Sequence, residues 1–394
     1  MNIVRIGIIG IGNMGSAHAY NIFQGKVDKL VLTAVCDIDD GRLQWARQIF
    51  GDKVSIYSDY HLLIKSGIVD AVLIATPHNL HPIIAVDSFA ANLHVLTEKP
   101  AGTNVLQVRR MNEAASKSNK VFAIMYNQRT NPLFAQLKKM VAAGELGEMK
   151  RFIWIVNNWY RTQAYYDSGN WRASWNGEGG GVLLNQCPHN LDIWQWITGM
   201  PSKIRSFCKY GHYHKINVED DVTIYAEYAN GASAVFITST GEYPGTNRLE
   251  YSGTLGKAVI EEGVLRVYRL DTDEREICHK TNEVFPNIGL EYEEFLQQEP
   301  ETGHIGILQN FTNAILYDEE LLAAGYEGVY GLTISNAAYM SDWLDSWIDL
   351  PMDDELFNQM LKEMQSKEKN IDTINKKPNE EANGDYKERW QVRW

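Results

Sequence analysis

The chain has 394 residues, enough for two domains that each bury a core of their own. Its formal net charge of -13 and its lack of any basic block argue against a nucleic-acid partner, because phosphate binding requires clustered lysine and arginine. The four cysteines are widely spaced and form no C-x-x-C pair, so we expect neither a metal site nor a disulfide framework. No apolar run reaches the length of about 18 residues needed for a membrane span, and we expect a cytoplasmic protein without a membrane partner.

The first third of the chain alternates short β-branched runs with stretches of helical spacing. The candidate strands are residues 5–10, 30–37, 70–76, 94–99 and 121–127. Their continuous apolar character is typical of strands that are buried on both faces. The pattern predicts a Rossmann domain over residues 1–126, built on a doubly wound parallel sheet.

Beyond residue 127 the pattern changes to alternating runs after a single helix at 132–144. The candidate strands are residues 150–159, 203–210, 221–240, 247–263 and 264–270, and further helices are expected at 305–316 and 328–347. Asn230-Gly231 lies between two alternating runs, which is a strong hairpin signal. The sequence predicts a substrate-binding and oligomerisation domain over residues 127–355, built on a large, open, mostly antiparallel sheet.

Residues 356–394 are predicted to form a C-terminal helix and a loosely ordered tail, because charged and amide side chains dominate their sequence. Trp390 and Trp394 make the end of this tail too aromatic for a purely solvated segment. We expect that end to dock on the protein.

Gly10, Gly12 and Gly15 form a G-x-G-x-x-G motif directly after the first predicted strand, with Asn13 and Met14 inside it. In this context the first glycine allows a tight turn, the second lets backbone amides approach a pyrophosphate, and the third lets helix and strand pack closely. The unpaired amides at the start of the following helix favour an anion. These five residues are predicted to bind a dinucleotide.

Asp37 ends the second predicted strand, about 20 residues beyond the glycine motif, as a ribose-binding acid does. Its carboxylate would accept hydrogen bonds from the ribose hydroxyls and repel a 2′-phosphate. NAD is therefore predicted rather than NADP, with Arg42 as the nearby residue that would favour NADP.

Glu98 and Lys99 leave a buried strand at its carboxyl end, where open α/β sheets bind ligands. In the later segment "GGGVLLNQCPHNLD", Asn185 and His189 are four residues apart on a predicted helix and so share a face. The alternative for His189 is a buried histidine hydrogen-bonded to Asp192 or a backbone carbonyl. Asp192 itself is interpreted as an acid stabilised by the helix dipole.

Taken in order, these elements resemble the Gfo/Idh/MocA family of oxidoreductases, which includes glucose-fructose oxidoreductase and inositol dehydrogenases. The resemblance covers residues 1 to about 350 and rests on the glycine motif, "ATPHNLH" with Thr76, Pro77 and His81, "EKP" at 98–100, and the GGG element at 179–192. It implies that Thr76, Pro77, His81, Glu98 and Lys99 contact NAD.

In family members with dehydrogenase activity, the lysine and a D-x-x-x-H pair surround the reacting hydroxyl. Lys99 and His189 match this pattern, whereas Asn185 occupies the aspartate position. Hydride leaves a carbinol carbon as its hydroxyl loses a proton, so the site needs a base and a positive group against the developing alkoxide. His189 is the candidate base and Lys99 the electrostatic partner, with the reverse assignment open, and Asn185 can orient the hydroxyl without taking its proton.

Aromatic side chains between residues 154 and 175 alternate with amides and arginines, a combination that suits a polyhydroxylated ring. About half of these aromatics are expected in the core or an interface instead. The predicted substrate contacts are Asn127, Arg129, Trp159, Trp171, Arg172, Asn185 and His189. The "LNQCPH" segment also resembles members that oxidise a glycoside hydroxyl, often at C3.

The sequence thus predicts an NAD-dependent dehydrogenase of a sugar, glycoside or cyclitol, active as a homodimer or homotetramer through its open sheet. Two alternatives stay open. A cofactor-binding sugar sensor without turnover is favoured by Asn185 and disfavoured by Lys99 and His189. A glycoside-cleaving enzyme that redox-cycles a resident NAD would use the same residues.

Overall fold

The computed structural model describes residues 2–169, 171–297 and 301–368. The predicted docking of Trp390 and Trp394 lies outside these residues. Two sheets organise the fold, one of six strands and one of nine. This confirms the predicted succession of a Rossmann domain and a domain with a large, mostly antiparallel sheet.

The first sheet is parallel throughout, with strand order β3-β2-β1-β4-β5-β6. Its strands are β1 (Val4–Ile9), β2 (Leu30–Cys36), β3 (Ser55–Tyr57), β4 (Ala71–Ile74), β5 (His94–Thr97) and β6 (Phe122–Ile124). The helices between them are α1 (Asn13–Phe23), α2 (Asp40–Phe50), α3 (Tyr60–Ile64), α4 (His81–Ala90) and α5 (Val105–Ser118). The order reverses between β1 and β4, and such a switch point opens a cleft at the carboxyl ends of the strands.

The second sheet has the order β14-β13-β12-β11-β7-β10-β9-β8-β15. Its strands are β7 (Met149–Val156), β8 (Lys203–Tyr210), β9 (Glu219–Glu227), β10 (Ser233–Ser239), β11 (Asn247–Gly253), β12 (Gly256–Glu261), β13 (Val264–Leu270), β14 (Leu290–Leu296) and β15 (Ile348–Asp349). Only the β10–β7 pair is parallel among the described strands of this sheet.

Eight α-helices follow the Rossmann helices in the described part of the chain. They are α6 (Pro132–Ala142), α7 (Gln163–Asp167), α8 (Val182–Asn185), α9 (Pro188–Thr198), α10 (Glu274–Lys280), α11 (Gly303–Tyr317), α12 (Gly328–Leu344) and α13 (Asp354–Lys367). Trp194 of α9 stacks on Phe152 and Phe236 of the sheet, with ring centroids 6.0 and 5.8 Å away. Helices therefore cover one face of the sheet and leave the other open.

The predicted hairpin at Asn230-Gly231 is confirmed, since β9 and β10 pair antiparallel on either side of it. Gly231 has a φ of +84°, which glycine adopts without strain. The sequence missed the strands β3, β14 and β15 and the helices α7 and α10. Strand β14 is at the sheet edge and almost every residue in it is exposed, so no alternation of buried and exposed side chains marks it.

The helices after residue 303 return to the Rossmann sheet. Ala324 forms an isolated antiparallel bridge with Ala123, and the N–H of Ile124 donates to the carbonyl of Ala323 at 3.1 Å. Further along, Asn336 of α12 accepts a 3.1 Å hydrogen bond from the backbone N–H of Val105. The segment after residue 303 therefore packs against both sheets and fixes the cleft between them.

Candidate active site

A cavity of about 2360 Å³ opens between the two sheets at the carboxyl ends of the parallel strands. It collects most of the residues that the sequence predicts as functional. Those that line it are Gly10, Gly12, Asn13, Met14, Asp37, Thr76, Pro77, His81, Glu98, Lys99, Asn127, Trp159, Trp171, Arg172, Asn185 and His189. Gly15 and Arg129 are not part of the lining.

The glycine loop is shaped by close approach on one side and open space on the other. A Cβ on Gly15 would lie 1.8 Å from the carbonyl oxygen of Gly10, so helix α1 can pack here only without a side chain. A Cβ on Gly12, by contrast, would meet nothing within 4 Å. The loop therefore leaves room for a ligand beside the first amides of α1, as a bound pyrophosphate requires.

Asp37 lies at the far end of this loop, just beyond β2. Its carboxylate accepts hydrogen bonds from the N–H groups of Ile11 at 2.8 Å and Asp39 at 3.0 Å. Arg42 donates through Nε to the carbonyl of Ile11 at 2.7 Å and lies over the ring of Trp45. The fixed carboxylate at the cavity wall is the arrangement that binds ribose hydroxyls and disfavours a 2′-phosphate.

Two buried polar atoms in the lining indicate a polar ligand. The hydroxyl of Thr76 and the side-chain carbonyl of Asn127 have no hydrogen-bond partner within the described protein. Buried polar atoms are normally satisfied, so such atoms at a cavity wall suit groups that a ligand brings. His81 joins the strand ends nearby, with its ring nitrogens 2.8 Å from the carbonyls of Thr76 and Pro100. Together with the glycine loop and Asp37, these residues fit NAD.

Glu98 and Lys99 emerge side by side from β5. His18 Nε2 lies 2.6 Å from a carboxylate oxygen of Glu98, and the backbone N–H of Lys99 donates to the other oxygen at 3.1 Å. Burial would raise the pKa of Glu98, but the His18 hydrogen bond and the nearby charges outweigh it and lower the pKa to about 2. A carboxylate that stays ionised beside Lys99 favours the protonated lysine.

Lys99 reaches across the cleft to the second domain. Its Nζ donates a 2.9 Å hydrogen bond to the backbone carbonyl of Asn185 at the end of α8. Burial lowers the pKa of Lys99, while the charges of Glu98 and Glu178 raise it. Burial and the Lys99 charge lower the pKa of His189 well below its usual range, so this ring is neutral at neutral pH. A neutral imidazole and the Lys99 amino group, whose pKa burial lowers overall, thus line the same cavity.

The three glycines before α8 allow the chain to pack against β9. A Cβ on Gly181 would lie 2.0 Å from the carbonyl oxygen of Glu219. The buried Glu219 carboxylate accepts hydrogen bonds from the N–H groups of Gly181 at 2.8 Å and Leu183 at 2.9 Å, and from the hydroxyl of Tyr339 at 2.7 Å. Glu219 therefore holds the start of the helix that carries Asn185.

Burial raises the pKa of Glu219 to about 7. The folded protein then binds a proton more tightly at this site than the unfolded chain, so stability falls as pH rises between about 4.5 and about 7, by on the order of 3 kcal/mol. We expect the midpoint temperature of wild-type protein, relative to Glu219→Gln, to fall across this window and stay level above it. Calorimetry of both proteins in a pH series measures this difference, and a constant difference would contradict the assignment.

The aromatic segment divides between core and cavity. Trp154 and Trp175 are fully buried in the core. Trp159 and Trp171 line the cavity, and the guanidinium of Arg172 lies over the Trp171 ring at 4.9 Å from its centroid. Arg172 also donates to the hydroxyl of Tyr165 at 2.8 Å. The cavity wall thus combines flat apolar faces with fixed hydrogen-bonding groups.

Arg129 was predicted to contact the substrate, and the structure places it elsewhere. Its guanidinium donates to both carboxylate oxygens of Asp192, at 2.8 and 2.7 Å, and pairs with Glu327. Asp192 also accepts from Gln195 at 3.0 Å. The helix-dipole interpretation of Asp192 is wrong, because Asp192 lies beyond the first turn of α9 and its charge is balanced by a buried arginine.

Three residues in or directly behind the cavity lining are not predicted from the sequence. Glu178, directly before the three glycines, is buried against Asn185 and Arg172. His304, which lines the cavity from α11, is far away in sequence and no local pattern signals it. His78 lies within "ATPHNLH", where the sequence gives it no role, and its ring packs edge-on against Trp171 with centroids 5.5 Å apart.

A Rossmann sheet, a glycine loop with open space above a helix start, and a lysine–histidine pair in one cleft define an NAD-dependent oxidoreductase. Comparison with known sequences agrees. Residues 4–126 match the family described as "Oxidoreductase family, NAD-binding Rossmann fold", and residues 134–259 match the GFO/IDH/MocA C-terminal domain. The chain belongs to the Gfo/Idh/MocA family, and its cofactor is NAD.

Among known relatives, the myo-inositol 2-dehydrogenase of Thermotoga maritima is 26% identical over 345 residues, covering 86% of this chain and 96% of that protein. The WlbA dehydrogenase of Bordetella pertussis, solved with NADH and UDP-GlcNAcA, superposes with a TM-score of 0.74 at 25% identity, over 89% of this chain and all of that one. A levoglucosan dehydrogenase solved with NADH and L-sorbose shares the fold, with a TM-score of 0.73 at 22% identity over 90% of this chain and all of that one.

Among the described helices, none is both long and apolar enough to cross a membrane. Within the same residues, no group of three or more histidine, cysteine, aspartate or glutamate side chains is arranged to hold a metal ion.

Proposed function

We propose that this protein is a dehydrogenase that transfers hydride between NAD and a ring hydroxyl of a sugar, glycoside or cyclitol. The observation that carries the proposal is that Lys99 and His189 line the same cavity as the NAD-binding residues. Lys99 also donates a hydrogen bond across the cleft to the backbone carbonyl of Asn185. When bound, the nicotinamide supplies the hydride acceptor. The protein must then bind the ring, orient one hydroxyl and manage its proton.

His189 is proposed as the group that takes the hydroxyl proton. Its lowered pKa leaves the ring unprotonated at neutral pH, as a proton acceptor must be. Lys99 is proposed as the positive group beside the oxygen as it gains charge, because a fixed ammonium group in a cavity stabilises an alkoxide more than water does. Asn185 is proposed to orient the hydroxyl.

A ring with several hydroxyls suits the rest of the cavity lining. Trp159 and Trp171, which line the cavity, are proposed to contact C–H surfaces of the ring, and Arg172 and Asn127 are proposed to bind its hydroxyls. The myo-inositol 2-dehydrogenase relative and the WlbA dehydrogenase solved with UDP-GlcNAcA support the same substrate class. Oxidation at C3 of a glycoside is our specific proposal within this class.

Mixing the purified protein with NAD⁺ and a panel of glucose, a glucoside and myo-inositol tests the proposal. We expect one of them to raise the ultraviolet absorbance of NADH, or a 3-keto-glucoside to bleach NADH that stays bound. Silence with every sugar, from folded protein that releases NAD on heating, would favour a ligand sensor. Glycoside cleavage without net NADH would favour the redox-cycling enzyme.

We propose that a homodimer or homotetramer forms through the open face of the nine-stranded sheet. Half-buried Ile153, Ile155 and Ile237 lie side by side on this face, near the exposed ring of Phe207. An apolar patch of this kind on a sheet is typical of an interface.

Ile237→Glu places a charge in the middle of that patch and is expected to reduce the particle mass measured by light scattering to that of a smaller assembly. Phe285→Glu is the matched control, because Phe285 is 92% exposed outside this face. An unchanged mass for Ile237→Glu would exclude this face as the interface.

A further inference from the structure

Glu178 is a buried carboxylate directly behind two residues of the cavity lining, Asn185 and Arg172, and the proposed reaction gives it no role. Only 1% of its surface is exposed. One carboxylate oxygen accepts from the backbone N–H of Ala173 at 2.6 Å, and the other accepts from the side-chain NH₂ of Asn185. Arg172 Nη1 lies 3.7 Å from this second oxygen.

All of these neighbours donate hydrogens or carry positive charge, which is the surrounding of an ionised carboxylate. Burial raises the pKa of Glu178, and the charges of Arg172 and Lys99 act against that rise together with the two hydrogen bonds. The pKa is raised overall, and the donors that surround Glu178 favour its charged form against this effect of burial.

The contact decides which way the Asn185 amide faces. A carboxylate only accepts hydrogen bonds, so it must face the NH₂ group and not the carbonyl oxygen. With the NH₂ group held by Glu178, the amide has its carbonyl oxygen left to accept a hydroxyl hydrogen from the cavity. Without this contact, the Asn185 amide could rotate by half a turn and exchange its oxygen and nitrogen positions. The hydrogen bond to Glu178 prevents that rotation.

Glu178 also balances charge around Lys99. Lys99, Arg161 and Arg172 place three positive groups in the cavity lining. Glu98 supplies negative charge from the Rossmann domain, where it is hydrogen-bonded to His18. Glu178 supplies negative charge from the second domain, and its charge favours the protonated form of Lys99.

We propose that Glu178 is a positioning residue of this active site, which fixes the Asn185 amide with its carbonyl oxygen toward the substrate and keeps Lys99 protonated. The inference rests on the dehydrogenase function proposed above. Other groups also act on the lysine, and each is retained in the variants below. They are Glu98, Arg161, Arg172, His78, His81, His189, His304 and Cys187.

A charge swap tests the first half of the proposal. Glu178→Gln alone turns an NH₂ group toward Asn185 and forces its amide to flip, so the cavity faces a donor where it had an acceptor. Asn185→Asp alone sets two carboxylates against each other, which drives one of them to bind a proton. The double variant Glu178→Gln/Asn185→Asp restores every bond. Its new amide can accept from the N–H of Ala173 and donate to the new carboxylate, and the negative charge is kept.

We expect each single variant to lower kcat by about 100-fold and the double variant to recover to within about tenfold of wild type, because misplacing one orienting group costs about that much. The affinity for NADH, measured by fluorescence titration, should change little in all three. If the losses of the two single variants simply multiply in the double variant, the proposed pairing is overturned. Should Glu178→Gln fail to fold, recovery of Asn185→Asp by the second substitution gives the same information.

The pH dependence tests the second half. We expect Glu178→Gln to move the alkaline limb of the kcat profile, set by Lys99, to lower pH by about one unit, as loss of a nearby opposite charge predicts. Glu178→Asp keeps the charge and should leave the limb in place while lowering kcat. Glu301→Gln is the matched control, because Glu301 lines the same cavity but contacts Asn131.

Competitive acylation followed by mass spectrometry gives the pKa of Lys99 in resting protein, without any turnover. A downward shift in Glu178→Gln supports the effect of Glu178 on Lys99 even if no sugar is oxidised, in which case only the proposed function fails. An active wild-type enzyme whose Glu178→Gln variant keeps both the Lys99 pKa and the alkaline limb would show that Glu178 is merely structural.

Discussion

Lys99→Ala is expected to lower kcat by about 1000-fold or more while the protein still binds NADH. Removal of one group that stabilises an oxyanion costs about 100- to 1000-fold, and Lys99 carries a full charge. Its Nζ is fixed by the carbonyl of Asn185, so no other ammonium group replaces it at this position. Steady-state kinetics on the sugar identified by the panel, with fluorescence titration of NADH, measures both quantities.

The matched control is Lys138→Ala, which removes a half-buried lysine of α6 that lies over the ring of Trp196, outside the cavity lining. Its kcat should stay at the wild-type value. Lys99→Arg should fall between the two, since it keeps the charge but presents a planar group of different reach. Wild-type turnover by Lys99→Ala would remove Lys99 from the mechanism and revive the sensor alternative.

The NAD-binding half of the site can be predicted from the sequence because the residues that form it lie close together along the chain. Gly10, Gly12 and Gly15 are set by turn, ligand space and helix packing within a single strand-turn-helix unit. Asp37 follows at the end of the next strand, and parallel strands bring their carboxyl ends to one edge. Each of these residues is thus positioned by a strand or helix that the hydrophobic pattern already predicts.

The substrate half depends on contacts between distant parts of the chain, and the sequence predicts it less completely. The position of Arg129 after a predicted strand indicates at which edge of the sheet it lies. It does not indicate the direction of its side chain. Its partners Asp192 and Glu327 are 63 and 198 residues away, on α9 and directly before α12. The sequence does not indicate Glu178 or His304 for the same reason, since only the folded chain brings them close to Lys99.

The buried ion pair itself should matter for stability more than any other single contact in this region. Arg129 and Asp192 have side chains that are 2% and 1% exposed, and they join the end of the Rossmann sheet to helix α9, which carries His189. Asp192→Asn leaves a buried guanidinium without its full counter-charge. Breaking such a pair costs about 3–5 kcal/mol, which for a chain of 394 residues corresponds to a fall of about 5 °C in the midpoint temperature of unfolding.

Calorimetry of Asp192→Asn, Glu327→Gln and the double variant Arg129→Met/Asp192→Leu separates the possible causes. Glu327 is 26% exposed, so water can compensate for its loss and its removal should cost much less. The double variant removes both charges and should regain most of the lost stability, because an apolar pair of similar volume avoids the cost of burying ions. If it is as unstable as Asp192→Asn, then shape rather than charge holds α9 here. The position of His189 would then depend on packing and not on the Arg129–Asp192 pair.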